Sequence, residues 1–249
     1  QFEQVFRWFE KVLVIIYPET HLHIDLDVQA ENTQVMVQYL EQFGTGVCGF
    51  SLQPVSAESE LPAEMLQDLA RELKTGVEGR VMQLSASGIR RYRVIKNEHQ
   101  ELELSKLMLK HHMGDSDEEV SLDIEEESDG TVRLMDLIPI LTLGEGESRV
   151  FVIDELDRSL HPNLCYKMIE LFLARPVPTS QVIVTTHETN LLDLALLRRD
   201  AIWFVEKDQG GASHTYSLEE FTPRYDKDIQ KGYLLGRFGA IPFVGKQQF

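Results

Sequence analysis

The alternation of hydrophobic and polar positions predicts a series of strands and helices, and its clearest element is a buried strand. Val150 to Ile153 form a continuous apolar run that ends abruptly at Asp154 and Glu155. A run that is apolar on both faces is typical of a central parallel strand, because helices cover both sides of such a sheet. Ligands bind at the carboxyl ends of parallel strands, so a ligand site is predicted at the two acids. The alternative is a buried strand followed by an acidic helix start.

The remaining periodicity predicts helices and strands on both sides of this run. Helices are predicted over residues 2–11, 32–43, 63–74, 132–143, 163–174 and 191–198. Further strands are predicted over residues 12–16, 47–52, 80–85, 90–96, 106–112, 120–125, 181–187, 201–206 and 213–218. The strand over 181–187 is predicted to be buried and ends in a lone histidine, His187. The last two strands are predicted to pair as a hairpin through the turn over 208–211.

The composition narrows the protein class. Hydrophobic residues make up 43% and charged residues 26% of the 249 residues, which is ordinary for a globular protein with an ample core. The net charge of −17 argues against a broad phosphate-binding surface. Only Cys48 and Cys165 are present, so no disulfide framework is expected. No apolar run reaches membrane-spanning length and no signal peptide is visible, so the expected location is the cytoplasm.

Three local clusters have two interpretations each. The basic cluster over residues 90–93 is interpreted as a solvated strand, with contact to nucleic acid as the alternative. The alternating His and Asp positions over residues 21–27 place four polar side chains on one strand face. His111 and His112 lie near Asp115 and Asp117. Both of these sets are interpreted as solvated strand positions, with a metal site as the alternative.

The two acids after the apolar run match the Walker B pattern of nucleotide hydrolases. In that pattern the first acid, here Asp154, holds Mg²⁺, usually through water, and the second, Glu155, polarises the attacking water. Further motifs stand around it in a fixed order. Together these motifs resemble those of ABC-type ATPases of the SMC and RecF kind. Ser128-Asp129-Gly130 resembles the signature motif, and Val150 to Glu155 resembles Walker B. Leu156-Asp157 resembles the D-loop, and His187 resembles the switch histidine.

A closer resemblance comes from longer phrases of the sequence. These phrases are Glu-Ser-Asp-Gly-Thr-Val-Arg-Leu, Ile-Asp-Glu-Leu-Asp-Arg-Ser-Leu-His-Pro, Leu-Leu-Arg-Arg-Asp-Ala-Ile-Trp-Phe-Val-Glu-Lys-Asp and Gly-Arg-Phe-Gly-Ala-Ile-Pro. They are similar to ABC ATPases that carry the AAA designation in prokaryotic abortive-infection and related phage-defence systems. The resemblance covers residues 127–210 well and the rest loosely. It implies an ATPase that works beside a separate effector, often a nuclease or toxin.

The resemblance implies an α/β fold. We expect the C-terminal half of an ABC-type ATPase, with a mixed sheet flanked by helices and an antiparallel β-rich lobe. Residues 1–29 would end an N-terminal nucleotide-binding lobe, residues 30–126 would form a β-rich and helical lobe leading to the signature motif, and residues 127–249 would form the C-terminal nucleotide-binding lobe.

The resemblance also implies a site shared between two subunits of a homodimer or larger homo-oligomer. ATP and Mg²⁺ would be the cofactors, with Asp154 as the metal residue and Glu155 and His187 as the catalytic residues. The nucleotide-binding residues would be Ser128, Gly130 and Asp157. The usual signature has two glycines, whereas Asp129 occupies the first position here. The alternative for residues 128–131 is an ordinary helix N-cap.

The sequence lacks the phosphate-cradling Gly-x-x-x-x-Gly-Lys-Ser/Thr loop over residues 1–126. The nearest Gly-rich segment, over residues 44–49, has no Lys. The chain also begins with Gln1 and not with Met. We therefore expect the first half of the ATPase to be cut off or to lie on another chain, and we expect this part alone not to hydrolyse ATP.

Two hypotheses for the function follow, and a third is weaker. The first is an ATPase that senses a phage cue and controls a separate effector. The second is a DNA-repair or chromosome-maintenance ATPase of the RecF or SMC type, although no long heptad repeat occurs. The third is a nuclease fused to the ATPase, but only 28 residues follow Phe221, too few for a nuclease domain.

Overall fold

The computed structural model describes residues 2–21, 31–74, 82–86, 90–96, 102–114, 118–142, 148–175, 180–222 and 228–241. The chain divides into two compact units. The first unit consists of Gln1–Leu160 and Arg175–Thr185, and the second consists of His161–Ala174 and Thr186–Phe249. The predicted division into three segments stays a prediction.

The described residues form helices and strands throughout both units. The helices are α1 (Phe2–Lys11), α2 (Glu31–Gln42), α3 (Ala57–Glu60), α4 (Ala63–Lys74), α5 (Asp129–Leu137), α6 (Pro162–Leu173) and α7 (Ile229–Leu234). The strands are β1 (Leu13–Ile16), β2 (Val47–Val55), β3 (Met82–Ala86), β4 (Arg90–Lys96), β5 (Leu102–His112), β6 (Glu119–Asp123), β7 (Val150–Ile153), β8 (Gln181–Val184), β9 (Trp203–Lys207) and β10 (Ser213–Ser217). Among the described helices, none is long and apolar enough to cross a membrane.

A parallel sheet in the first unit carries the predicted ligand edge. Its strand order is β1-β7-β8, and β7 pairs in parallel with both neighbours. The predicted central parallel strand is therefore confirmed. The prediction of a fully buried strand at β8 is wrong, because β8 lies at the edge of this sheet and its side chains alternate between exposed and half-buried positions. The exposed positions alternate along β8 and so share one face of the strand, and Ile183 among them is 47% exposed.

The first unit also contains an antiparallel sheet. Its strands run in the order β2-β5-β4-β3, and β6 pairs with β5. A small core lies against this sheet and includes the buried residues Leu61, Tyr92, Val94 and Leu104. The predicted antiparallel β-rich lobe is therefore confirmed, and the chain has the mixed α/β fold that the sequence predicted.

Helix α5 follows this lobe and is buried along its length. Residues 131–137 are all buried, and Ser128 caps the helix by accepting a hydrogen bond from the Thr131 amide at 3.1 Å. The helix begins earlier than predicted and ends at Leu137 rather than at 143. A short 3₁₀ turn over Ile138–Ile140 follows it. Pro139 is consistent with the early end of the α-helix, because proline has no amide hydrogen to donate to the carbonyl four residues earlier.

The second unit is built around an aromatic core. Strands β9 and β10 form the predicted antiparallel hairpin. The core of the second unit contains Ile202, Phe204, Leu218, Ile229 and Phe238. The predicted helix over 191–198 is wrong.

A 3₁₀ turn over Thr189–Leu191 and a single further turn replace that helix. Asp193 explains the difference, because its carboxylate accepts a hydrogen bond from the Ala195 amide at 2.8 Å. A short acidic side chain that bonds to nearby backbone favours a turn over a continued helix. Arg198 and Arg199 instead lie at the start of a separate 3₁₀ turn over Arg199–Ala201.

Candidate nucleotide site

Three strand ends form one edge of the parallel sheet. The last residues of the strands, Ile16, Ile153 and Val184, stand in register with one another. Asp154 therefore lies between the residues that follow β1 and β8. Its backbone amide donates to the Ile16 carbonyl at 2.9 Å, which extends the pairing by one step. This is the edge at which parallel sheets bind ligands.

Thr185 binds both predicted acids at this edge. Its hydroxyl donates to Oδ1 of Asp154 at 2.6 Å, and its Oγ1 accepts from the Glu155 amide at 2.9 Å. Thr185 is not among the predicted site residues. The available signal was a hydroxyl side chain near the end of the strand predicted over residues 181–187, at the same edge as the acids.

Glu155 occupies an unusual backbone conformation. Its φ is 48°, in the left-handed region that non-glycine residues rarely adopt. The side chain is exposed at the sheet edge, and its Oε2 lies 3.8 Å from Nη1 of Arg158. That same Nη1 is closer to Glu19, to which it donates at 2.6 Å. The carboxylate of Glu155 is therefore exposed to solvent, and among the described residues its basic neighbour Arg158 lies at a distance too long for a hydrogen bond.

The segment over residues 128–130 lies against the turn that follows Asp154 and Glu155. A Cβ added at Gly130 would stand 3.0 Å from the backbone carbonyl oxygen of Ser159. A side chain at position 130 would therefore need the neighbouring backbone to shift by a few tenths of an ångström. Ser159 itself has a left-handed φ of 62°. The turn also contains the half-buried Asp157, whose carbonyl accepts from the Leu160 amide at 3.1 Å.

Arg133 reaches from helix α5 to the strand ends. Its guanidinium donates to the carbonyls of Tyr17, Pro18 and Asp154 at 3.3, 3.5 and 3.5 Å. The side chain is 4% exposed, and burial lowers the pKa of Arg133, while the nearby Asp136 carboxylate opposes that shift. The buried Arg133 consequently ties helix α5 to the backbone that directly follows β1 and β7.

Asp136 joins the same helix to the β-rich lobe. Its Oδ1 accepts from Nη2 of Arg91 on β4 at 2.5 Å, and its Oδ2 lies 3.0 Å from Nδ1 of His21. Both Arg91 and Asp136 are buried, and burial lowers the pKa of Arg91, with Asp136 opposing. The solvated strand predicted for the basic cluster is therefore wrong at Arg91. A buried partner for an arginine cannot be read from the local pattern of one strand.

The two predicted metal alternatives do not appear in the part of the chain that the structure describes. His21 contacts Asp136 rather than a row of acids, and the other members of residues 21–27 lie outside the described residues. His111 pairs with Glu127 at 2.6 Å, while Asp115 and Asp117 lie outside the described residues. No group of three or more His, Cys, Asp or Glu side chains within the described ranges could hold a metal ion.

The donors at the strand edge nevertheless fit Mg²⁺. Asp154 and Thr185 supply oxygen atoms, which Mg²⁺ prefers, and Mg²⁺ commonly needs only one or two carboxylates beside phosphates and water. Oδ2 of Asp154 makes no hydrogen bond to the described residues. The lack of a closed protein cage is thus compatible with a metal that arrives with a nucleotide.

The predicted site residues fall into two groups. Ser128, Gly130, Asp154, Glu155 and Asp157 belong to the first compact unit. His187 belongs to the second unit, three residues after β8 ends, and its side chain is exposed.

Comparison with protein families matches residues 63–193 to the family described as "AAA domain, putative AbiEii toxin, Type IV TA system". This range is more than half of the 249 residues. The chain belongs to this AAA family. The six predicted site residues all lie within the matched AAA domain. Membership of this family supports the assignment of an ATPase that uses ATP and Mg²⁺. It also links the domain with abortive-infection and toxin–antitoxin systems. No curated protein matches the chain.

Proposed function

We propose that this AAA domain is the Walker B and signature part of an ABC-type ATPase that controls a separate effector in phage defence. The observation that carries the proposal is the pair Asp154 and Glu155 at the carboxyl end of a central parallel strand, with Thr185 bonded to both. The family match supports the ATPase class and the link to abortive infection.

The proposed chemistry is hydrolysis of the γ-phosphate of ATP. Asp154 would hold Mg²⁺, directly or through water, and a bound metal would supply charge neutralisation at the phosphates. Glu155 accepts a proton from the attacking water, because its exposed carboxylate follows the metal residue directly. His187 contacts the γ-phosphate and biases closure of the site.

The proposed site is completed by a second subunit. Ser128 and the first amides of α5 form a helix N-terminus, whose hydrogen-bond donors and dipole suit an anion. Ser128 is exposed even though its hydroxyl already caps α5. In the proposal this face closes on the γ-phosphate held by the neighbouring subunit, and Asp157 forms a hydrogen bond across the dimer. Asp129 points away from the phosphate in this arrangement, because a carboxylate beside it would repel the anion.

The proposal requires a phosphate-binding loop from elsewhere in the assembly. This sequence contains no Gly-x-x-x-x-Gly-Lys-Ser/Thr stretch. A further segment of the protein or another chain supplies that loop in the proposal, and this part alone does not turn over ATP.

The proposed output is control of an effector, a nuclease or another toxin. The net charge of −17 disfavours a broad phosphate-binding surface on this part of the ATPase. Closure of the composite site changes which state of the effector complex is favoured, because a ligand shifts an equilibrium whose states it binds unequally. DNA clamping of the RecF or SMC kind is the competing output.

Mixing two inactive variants tests the shared site. Ser128→Arg blocks the anion-facing helix end and Glu155→Gln removes the base, and each alone is expected to be inactive in the complete ATPase. A mixed dimer restores one intact site, so an equimolar mixture is expected to regain about one quarter of wild-type turnover if two independent sites form by C₂ symmetry. Ser128→Ala is the control, because it removes the cap without adding a bulky cation.

The result can also contradict the proposal. No activity in the mixture, or hydrolysis by strictly monomeric wild-type protein, would exclude a shared site. For the effector, co-expression of the ATPase with the product of the neighbouring gene is expected to protect cells against phage, and expression of the ATPase alone is expected to be tolerated. Full protection by the ATPase alone, with DNA binding and no partner, would favour the DNA-maintenance function instead.

A further inference from the structure

Thr185 uses all four of its hydrogen-bonding groups on four consecutive residues. Its backbone amide donates to the Ile153 carbonyl at 3.0 Å, and its carbonyl accepts from the Leu156 amide at 3.0 Å. Between them, its hydroxyl donates to the Asp154 carboxylate and accepts from the Glu155 amide. The backbone bonds continue the pairing of β7 and β8, whereas the two side-chain bonds depend on the hydroxyl alone.

The hydroxyl stabilises a conformation that the backbone does not prefer. A non-glycine residue in the left-handed region costs on the order of 1–3 kcal/mol and persists where the surroundings determine it. Glu155 is such a residue, and its amide is held by Thr185. One side chain thus fixes two groups. These are the peptide unit that orients Glu155 and the carboxylate of Asp154.

We propose that Thr185 is the positioning residue of the hydrolytic site, whose single hydroxyl sets both the metal affinity at Asp154 and the orientation of Glu155. This inference rests on the ATPase function proposed above. The hydroxyl holds Oδ1 of Asp154, which leaves Oδ2 for the hydrated metal. The same oxygen holds the Glu155 amide, so the metal residue and the base keep a fixed relation to each other.

The hydroxyl can be removed with little change in shape. Thr185→Val keeps the size and the branched side chain but loses both side-chain bonds. Thr185→Ser keeps the hydroxyl. Thr185→Ala also lacks the hydroxyl and serves if the valine variant folds poorly.

Thr45 offers a matched control in the same unit. Its hydroxyl donates to the Leu40 carbonyl at 2.9 Å, and its Oγ1 accepts from the Val47 amide at 3.2 Å. Like Thr185, its side chain donates one hydrogen bond to an oxygen and accepts one from a backbone amide. Thr45 lies at the turn between α2 and β2. Thr45→Val reports what the loss of such a pair does to folding without touching the strand edge.

The experiment measures metal binding as well as activity, in the complete ATPase. Mn²⁺ affinity in the presence of ATP is measured by electron paramagnetic resonance, and ATP turnover is measured over a range of Mg²⁺ concentrations. Loss of a group that orients a metal ligand weakens metal affinity or activity about 10- to 100-fold. Thr185→Val and Thr185→Ala are expected to show such a loss in Mn²⁺ affinity and in kcat, with a smaller change in the KM for ATP. Thr185→Ser and Thr45→Val are expected to stay near wild type.

Three outcomes overturn the proposal. Wild-type Mn²⁺ affinity and Mg²⁺ dependence in Thr185→Val or Thr185→Ala would show that the hydroxyl does not act on the metal. Equal losses in Thr185→Val and Thr45→Val would reduce the effect to folding. If the wild-type protein neither binds Mn²⁺ with ATP nor hydrolyses ATP, the proposed function fails together with this inference. If the wild-type protein is active and Thr185→Val is unaffected, this inference alone is refuted.

Discussion

Replacing Arg91 with methionine is expected to destabilise the first compact unit strongly. The Arg91 and Asp136 side chains are only 8% and 3% exposed, and His21, which also contacts Asp136, is 24% exposed. Arg91→Met therefore leaves a buried carboxylate with a much weaker partner. Breaking a buried ion pair from one side costs about 3–5 kcal/mol. For a unit of this size each kcal/mol lowers Tm by about 2–4 °C, so we expect a loss of roughly 6–20 °C.

The assay is thermal unfolding followed by circular dichroism, with two comparison variants. Arg7→Met removes an arginine from the exposed pair with Glu3 and is expected to cost less than about 1 kcal/mol. The double variant Arg91→Met with Asp136→Leu removes both charges of the pair and is expected to recover part of the lost stability, because the buried Arg133 keeps its bonds to backbone carbonyls but loses the nearby carboxylate. Recovery is favoured because Nη1 of Arg91 is buried without a hydrogen-bond partner among the described residues. A Tm loss for Arg91→Met no larger than that for Arg7→Met would refute the reasoning.

Two further predictions concern the second unit. Burial, with help from Glu206, raises the pKa of Tyr216 from 10.0 to about 12, so the folded unit keeps a proton that the unfolded chain releases. The contribution of this proton to stability is present below pH 10 and is lost as the pH rises through 12. Tyr216→Phe should remove a late step from the tyrosinate absorbance titration at 295 nm. An unchanged titration would contradict this prediction. Gly232→Ala should destabilise the unit by about 1–3 kcal/mol in urea unfolding, because the new Cβ would stand 2.8 Å from the buried Phe238 ring; equal or higher stability would contradict the clash.

The sequence predicted elements whose signal is local. The run Val150 to Ile153 is apolar on both faces, and only a strand with neighbours on both sides uses such a run fully. The position of the two acids followed from that strand, because a residue after a parallel strand lies at the ligand edge. The hairpin over β9 and β10 followed from a turn between two strand patterns.

The sequence did not predict features that depend on which elements become neighbours. Thr185 contacts Asp154 because β7 and β8 pair in a particular register, and no periodicity states which strands pair. Arg91 looked like a solvated residue until β4 was placed beside α5, where Asp136 compensates its charge. Arg133 and Asp136 stood within an otherwise apolar helix pattern, and that mismatch was the available signal for a buried network.

The two overturned elements share a cause. An apolar stretch over 191–198 was consistent with a helix, but Asp193 uses its side chain to close a turn. The apolar run at 181–187 was consistent with burial, but a strand at a sheet edge has one open side. In both cases side-chain hydrogen bonds or neighbours decided between structures that the hydrophobic pattern alone does not separate.

The most direct test of the ATPase function is single-turnover hydrolysis by Glu155→Gln in the complete ATPase. Removing the general base is expected to lower the hydrolysis rate about 100-fold or more while ATP binding is retained, and a closed, ATP-bound assembly should accumulate. Glu19→Gln is the control, because it removes another exposed carboxylate that contacts Arg158 and should leave the rate near wild type. Near-normal hydrolysis by Glu155→Gln would contradict the assignment of this edge as the hydrolytic site.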